Sequence, residues 1–234
     1  MLENLFSLRE KEIFETLKRI KDYDFVLIGG YAVTSYTLPR FSVDCDIVVK
    51  NKEELKKIEK ALVELGYKKK EIDKTKLPYH GNFERFEKLL DHGFNVSVDI
   101  LINEVSDRQT GISFSADLVF ENSEIRKIKG KTIYEELSLK VANPDALIVM
   151  KISACRINDI RDVFMLIVYA KDKEWIKNEV SKKYNFNERF SRLKEKITSK
   201  QFKDGLQGVF GFVDNNIFEK HKKAVLDLEQ KRFI

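Results

Sequence analysis

Apolar positions along this 234-residue chain fall into two rhythms. Ile13, Phe14, Leu17 and Ile20 recur at three- and four-residue spacing, which predicts a helix over residues 8–20 with one apolar stripe. Asp22-Tyr23-Asp24 ends it, and the continuous run Phe25-Val26-Leu27-Ile28 then stops at Gly29-Gly30, as a buried strand entering a tight turn does. Residues 31–36 read as the first turns of a helix that Pro39 breaks. Residues 43–49 are rich in β-branched side chains and predict a second strand. Asn51 followed by Glu54 resembles a capping box, with Leu55, Ile58, Leu62 and Leu65 on one face before Gly66 closes the helix.

Residues 67–80 are Lys-rich and read as a strand followed by a loop. His92-Gly93 turns into a strand over 95–102, where Val96, Val98 and Ile100 alternate with Ser97 and Asp99. Pro144 suits a first helical position behind Asn143 as N-cap, and that helix runs through Lys151 towards Cys155. A second helix starts near Asn158 and reaches Tyr169. Beyond Lys171 the pattern is helical, with loops near Gly205, Gly208 and Gly211. Residues 1–142 thus form a core of mixed strands and helices, and residues 143–234 a helical region.

Composition narrows the class. With 43% hydrophobic residues and 17 Phe the chain has the material for a packed core, which argues against disorder. No stretch approaches the roughly 18 apolar residues needed to span a bilayer, and the opening Met1-Leu2-Glu3-Asn4 lacks the basic start of a secretory signal. A cytoplasmic protein without a membrane partner is the expectation. Cys45 and Cys155 are too few for a disulfide framework and read as reduced side chains. His80, His92 and His221 are scattered without ligand spacing and read as surface or structural residues. Of the net charge of +5, residues 171–234 carry 16 basic against 10 acidic groups. That basic region either attracts a polyanion such as RNA or is simply a solvated helical surface.

The chemistry concentrates on the second strand. Side chains alternate along a strand, so Asp44 and Asp46 project to one face and Cys45 and Ile47 to the other. Paired carboxylates suit Mg²⁺, which is usually shared with substrate phosphates; the bland alternative is two acids facing water. Gly29-Gly30 upstream is either an ordinary turn or a place where backbone N–H groups approach phosphate. Asp99, in an apolar strand, supplies a third acid if its strand lies beside the second. Arg40 contacts phosphate or acceptor, or anchors the loop after Pro39, and Ser42 bonds to the glycine turn or to a nucleotide. Lys151, on the apolar stretch 148–152, needs an anion or a path to water.

Read in order, Phe25 to Ala32 with its Gly29-Gly30, then Arg40-x-Ser42-x-Asp44-x-Asp46, then Val98-Asp99-Ile100, resembles the DNA polymerase β-like nucleotidyltransferase superfamily. Within it the chain is similar to the abortive-infection (AbiEii-type) nucleotidyltransferase toxins over roughly residues 20–170. Lys151 to Arg156 with Asp159 and Asp162 is similar to that subgroup's helical element, although Asn158 stands where the subgroup often has Lys, and Arg156 and Asp162 are alternatively a structural pair.

The resemblance implies an α+β fold: a small mixed β-sheet flanked by helices, with a helical C-terminal region completing the cleft. It also implies transfer of NMP from an NTP to an acceptor hydroxyl with release of pyrophosphate. Asp44, Asp46 and Asp99 would hold two Mg²⁺ ions, or Mn²⁺, about 3.5–4 Å apart. Gly29, Gly30, Arg40, Ser42 and Lys151 would bind the nucleotide. A tRNA or other RNA acceptor and an antitoxin partner fit the family, with a protein or small-molecule acceptor open. The alternative is a non-catalytic nucleotide- or RNA-binding protein on the same fold.

Overall fold

A computed structural model describes residues 2–71, 82–107, 109–211 and 213–229. The chain divides into two compact units, one of residues 1–35 and 39–143, the other of residues 36–38 and 144–234.

Among the described residues, the first unit is built on a mixed seven-stranded sheet. Its strands are β1 (Val26–Ile28), β2 (Asp44–Val49), β3 (Lys68–Lys69), β4 (Phe83–Leu89), β5 (Asn95–Ile102), β8 (Ser123–Ile128) and β9 (Leu137–Ala142). Between β5 and β8 the short strands β6 (Glu104–Ser106) and β7 (Ser113–Ser115) form a separate two-stranded ribbon. The large sheet has the order β3-β4-β5-β2-β1-β9-β8. Its centre is parallel where β5 meets β2 and where β1 meets β9, and antiparallel between β1 and β2. Among the described residues, four helices belong to this unit: α1 (Leu2–Ile20), α2 (Gly29–Thr34), α3 (Lys52–Glu64) and α4 (Ala116–Glu121).

The apolar rhythm explains how these elements pack. Ile13, Phe14, Leu17 and Ile20 of α1 and Ile58 and Leu62 of α3 are fully buried, as are Ile47, Val98 and Ile100 of the sheet. The side chain of Asn51 accepts hydrogen bonds from the backbone N–H of Glu53 and Glu54 and so caps α3. Inside α1, the buried Glu10 carboxylate accepts from the N–H of Lys131 and of Thr132 at 2.6 and 2.7 Å, tying the helix to the β8–β9 connection. Gly130 makes room for it, since a Cβ there would lie 2.6 Å from the Glu10 carboxylate carbon.

One expectation for this unit shifts. Gly29 and Gly30 do not precede the helix; they are its first two residues, with Gly29 in the left-handed region at φ 66°. The segment 83–89, in which Phe83 and Phe86 sit three residues apart and hide the strand period, forms β4 beside β5.

The second unit is helical: α5 (Pro144–Ala154), α6 (Ile157–Leu166) with a 3-10 turn over Ile167–Tyr169, α7 (Lys173–Lys183), α8 (Phe186–Thr198), α9 (Lys200–Phe210) and α10 (Asn215–Leu226). Phe164 is its centre, with the rings of Phe202, Phe218 and His221 at 5.1, 5.2 and 5.5 Å. The Asp145 carboxylate accepts from the N–H of Lys171 and of Asp172, both at 2.9 Å, fixing the start of α5 to the start of α7. Gly205 and Gly208 lie inside α9, not in loops; only Gly211, at φ 85°, terminates it. Burial of Phe202 and Leu206 one turn apart outweighs a cost of about 1 kcal/mol per exposed helical glycine.

Candidate active site

The register of the sheet assembles the site. Arg85 on β4 pairs with Asp99 on β5, Asp99 with Asp46 on β2, and Asp46 with Ile28 on β1. Two positions along, Glu87 faces Ser97 and Ser97 faces Asp44. Directly opposed residues share a face of the sheet. Arg85, Asp99 and Asp46 therefore form one row across three strands, and Ser97 and Asp44 the neighbouring row on the same face.

Each acid has a different environment. Asp44 is the accessible one, its side chain 36% exposed, and its Oδ1 accepts a hydrogen bond from the Ser97 hydroxyl. Asp46 is nearly buried against the glycines, where a Cβ on Gly29 would fall 2.0 Å from its Oδ2. Asp99 is buried, and both its oxygens accept from Arg85: Nε to Oδ1 at 2.7 Å and Nη2 to Oδ2 at 2.6 Å. Burial pushes the Asp99 carboxyl up while the guanidinium opposes it, and the two-pronged hydrogen bonding suits the ionised form. The same bonds push Arg85 further up, so it stays a cation. On the opposite face the Cys45 thiol is raised well above its usual range, first by burial and then by Asp46, Asp99 and Asp44. A thiol held neutral in this way is a packing group, not a nucleophile.

Gly30 performs the same service for the loop before β2. A Cβ there would lie 2.2 Å from the Ser42 hydroxyl and 3.4 Å from Nη2 of Arg40. Ser42 donates to the backbone oxygen of Asp44 at 3.2 Å, and Arg40 through Nη1 to that of Phe41 at 3.3 Å. Gly29, Gly30, Arg40, Ser42, Asp44, Asp46 and Asp99 are thus gathered in the first unit. Lys151 is on α5 of the second unit, where its ammonium pairs with Asp162 at 2.9 Å and Asp159 at 3.1 Å. Asp159 also accepts from the N–H of Arg156 and caps α6, and Asp162 lies 3.9 Å from Nε of Arg161.

Oxygen donors on adjacent positions of one strand face, one of them open to solvent, fit a hard cation such as Mg²⁺, which needs only one or two protein carboxylates beside substrate phosphates. Asp44 and Asp46 meet that description. Asp99 does not while Arg85 occupies both of its oxygens, and among the described residues no three His, Cys, Asp or Glu side chains are grouped to hold an ion. Arg85 is the site residue that sequence reasoning missed. Its only signal was a basic side chain in a segment without strand periodicity.

The family model described as nucleotidyl transferase AbiEii toxin, type IV toxin–antitoxin system, matches residues 14–227. The chain belongs to this family. It is a nucleotidyltransferase, and the non-catalytic alternative gives way to that assignment. Among solved structures it is similar to MenT4, a nucleotidyltransferase toxin from Mycobacterium tuberculosis H37Rv, at 12% identity and a TM-score of 0.54, covering 97% of this chain and 84% of that one. It is also similar to JHP933 from Helicobacter pylori, at 18% identity and a TM-score of 0.49, covering 95% and 91%. An antigenic nucleotidyltransferase-like protein from Paracoccidioides brasiliensis matches at 14% identity and a TM-score of 0.42, covering 82% and 91%. No curated protein matches the chain. The MenT4 likeness supports the mixed-sheet nucleotidyltransferase fold of this AbiEii-family member. Among the described residues no helix is long and apolar enough to cross a membrane.

Proposed function

We propose that this AbiEii-family nucleotidyltransferase transfers NMP from an NTP to a hydroxyl of an RNA acceptor, tRNA among them, with a divalent cation, Mg²⁺, held by Asp44 and Asp46. The observation that carries the reading is the accessible Asp44 carboxylate beside Asp46, which is itself seated against the Cβ-free backbone of Gly29. In the reaction the acceptor hydroxyl gives its proton to water, its oxygen bonds to the α-phosphorus, the bond from that phosphorus to the bridging oxygen breaks, and pyrophosphate leaves with the electron pair. A bound divalent ion supplies charge stabilisation at the phosphates. Gly29 and Gly30 keep the backbone open to close approach, Ser42 fixes the loop that leads into Asp44, and Arg40 brings a cation to the glycine side. The basic excess of residues 171–234 favours a polyanionic acceptor. Membership of a toxin–antitoxin family supports an antitoxin partner.

The test incubates the protein with each α-labelled NTP, Mg²⁺ and total RNA, beside Asp44→Ala/Asp46→Ala. Label on RNA that disappears in the variant is the expected result. Label that persists in the variant removes the two aspartates from the mechanism; label on protein or a small molecule instead of RNA removes the RNA acceptor.

A further inference from the structure

A cation already stands among the three acids. Besides holding both oxygens of Asp99, Arg85 places Nη2 3.8 Å from Oδ1 of Asp44, so the guanidinium lies where an ion shared by Asp44 and Asp99 would have to enter. The next acid on this face, Glu87, is matched separately by Lys70 at 3.0 Å. Arginine does not give up its proton in proteins, so this cation is permanent. Its partner Asp99 is 1% exposed, and displacing the guanidinium would strand a buried carboxylate that has only another incoming cation to replace it.

We propose that Arg85 is a built-in cation of the catalytic centre, standing at Asp99 in place of a second divalent ion, so that each chain takes one divalent ion, on Asp44 and Asp46. In this arrangement Asp99 is a positioning residue for Arg85, and Arg85 presents a fixed positive charge beside Asp44. The inference rests on the proposed metal role of Asp44 and Asp46.

The experiment is a Mn²⁺ titration of the full chain without nucleotide, with free Mn²⁺ followed by electron paramagnetic resonance. Wild type is expected to bind one ion per chain, and Asp44→Asn to weaken that binding by about tenfold or more. Arg85→Gln should gain a second ion. Arg85→Gln/Asp99→Asn, which removes the pair while keeping the net charge, should bind one ion with close to wild-type affinity. Two ions per wild-type chain, or a double variant that loses affinity as severely as Asp44→Asn, overturns the inference and leaves Asp44 and Asp46 as metal ligands. An Arg85→Gln chain that folds by circular dichroism and still binds a single ion also overturns it. If Arg85→Gln does not fold, the wild-type count and the double variant decide. No Mn²⁺ binding by wild type overturns both this inference and the metal reading beneath it.

Discussion

Gly29 and Asp46 are in such close register that a methyl group on the glycine would sit 2.0 Å from the Asp46 carboxylate oxygen Oδ2. Two separate penalties meet at this point. Gly29 has φ 66°, which costs an L-residue about 1–2 kcal/mol, and the new methyl must move Asp46 or the strand carrying it. Gly29→Ala should therefore lower unfolding stability by at least about 1 kcal/mol in urea titration and cost more activity than that loss explains. Full transfer activity in a stably folded Gly29→Ala protein would show that the position of Asp46 is not critical.

Gly30 and Ser42 should behave as a coupled pair. Gly30→Ala puts its methyl 2.2 Å from the Ser42 hydroxyl, an overpacking of the kind that costs about 1–3 kcal/mol. Ser42→Gly removes that hydroxyl and its bond to the Asp44 backbone, a smaller loss. In a double-mutant cycle on unfolding free energy, the combined variant should be more stable than the sum of the two losses by roughly 1 kcal/mol. Simple additivity would mean that the loop relaxes away from the glycine.

How far the chain discloses this site follows from what strand periodicity can carry. The spacing of Asp44 and Asp46 on β2 is local, and alternation alone puts both on one face. The nearness of Asp99 requires knowing that β5 lies parallel to β2, a pairing across about fifty residues; only the order of motifs suggested it. Arg85 was illegible for a related reason. Glu84, Glu87 and Lys88 surround it on β4, and Phe83 and Phe86 fall on opposite faces because both sides of that strand are covered. No local pattern marks which charge turns inward. Lys151 was legible as a lysine needing an anion, but Asp159 and Asp162 satisfy that need within its own unit.

Lys151→Met should therefore reveal itself first in stability. The substitution leaves Asp159 and Asp162, both nearly buried, without their shared cation, and breaking such a pair from one side costs about 3–5 kcal/mol. Adding Asp159→Asn and Asp162→Asn should restore part of it. A Lys151→Met protein with unchanged thermal stability would contradict the structural role of these pairs.

His221 gives the second unit a predictable response to acid. Its Nδ1 donates to the backbone oxygen of Phe164 at 2.8 Å, and its ring lies 5.5 Å from the Phe164 ring in the centre of the bundle. Burial pulls its pKa below the ordinary 6.5, the Phe164 carbonyl opposes this, and Lys220 adds to the lowering. In the unfolded chain His221 takes up a proton as pH falls through that ordinary value, while in the folded chain it does so only at lower pH. Between the two values the unfolded state holds more protons, so stability falls as pH falls, and above them it is flat. Urea titrations at pH 7.5, 6.5 and 5.5 should show a progressive loss in wild type. His221→Gln should be less stable at pH 7.5 through loss of packing, yet lose less on acidification. An equal acid loss in the two proteins would assign the effect to other groups.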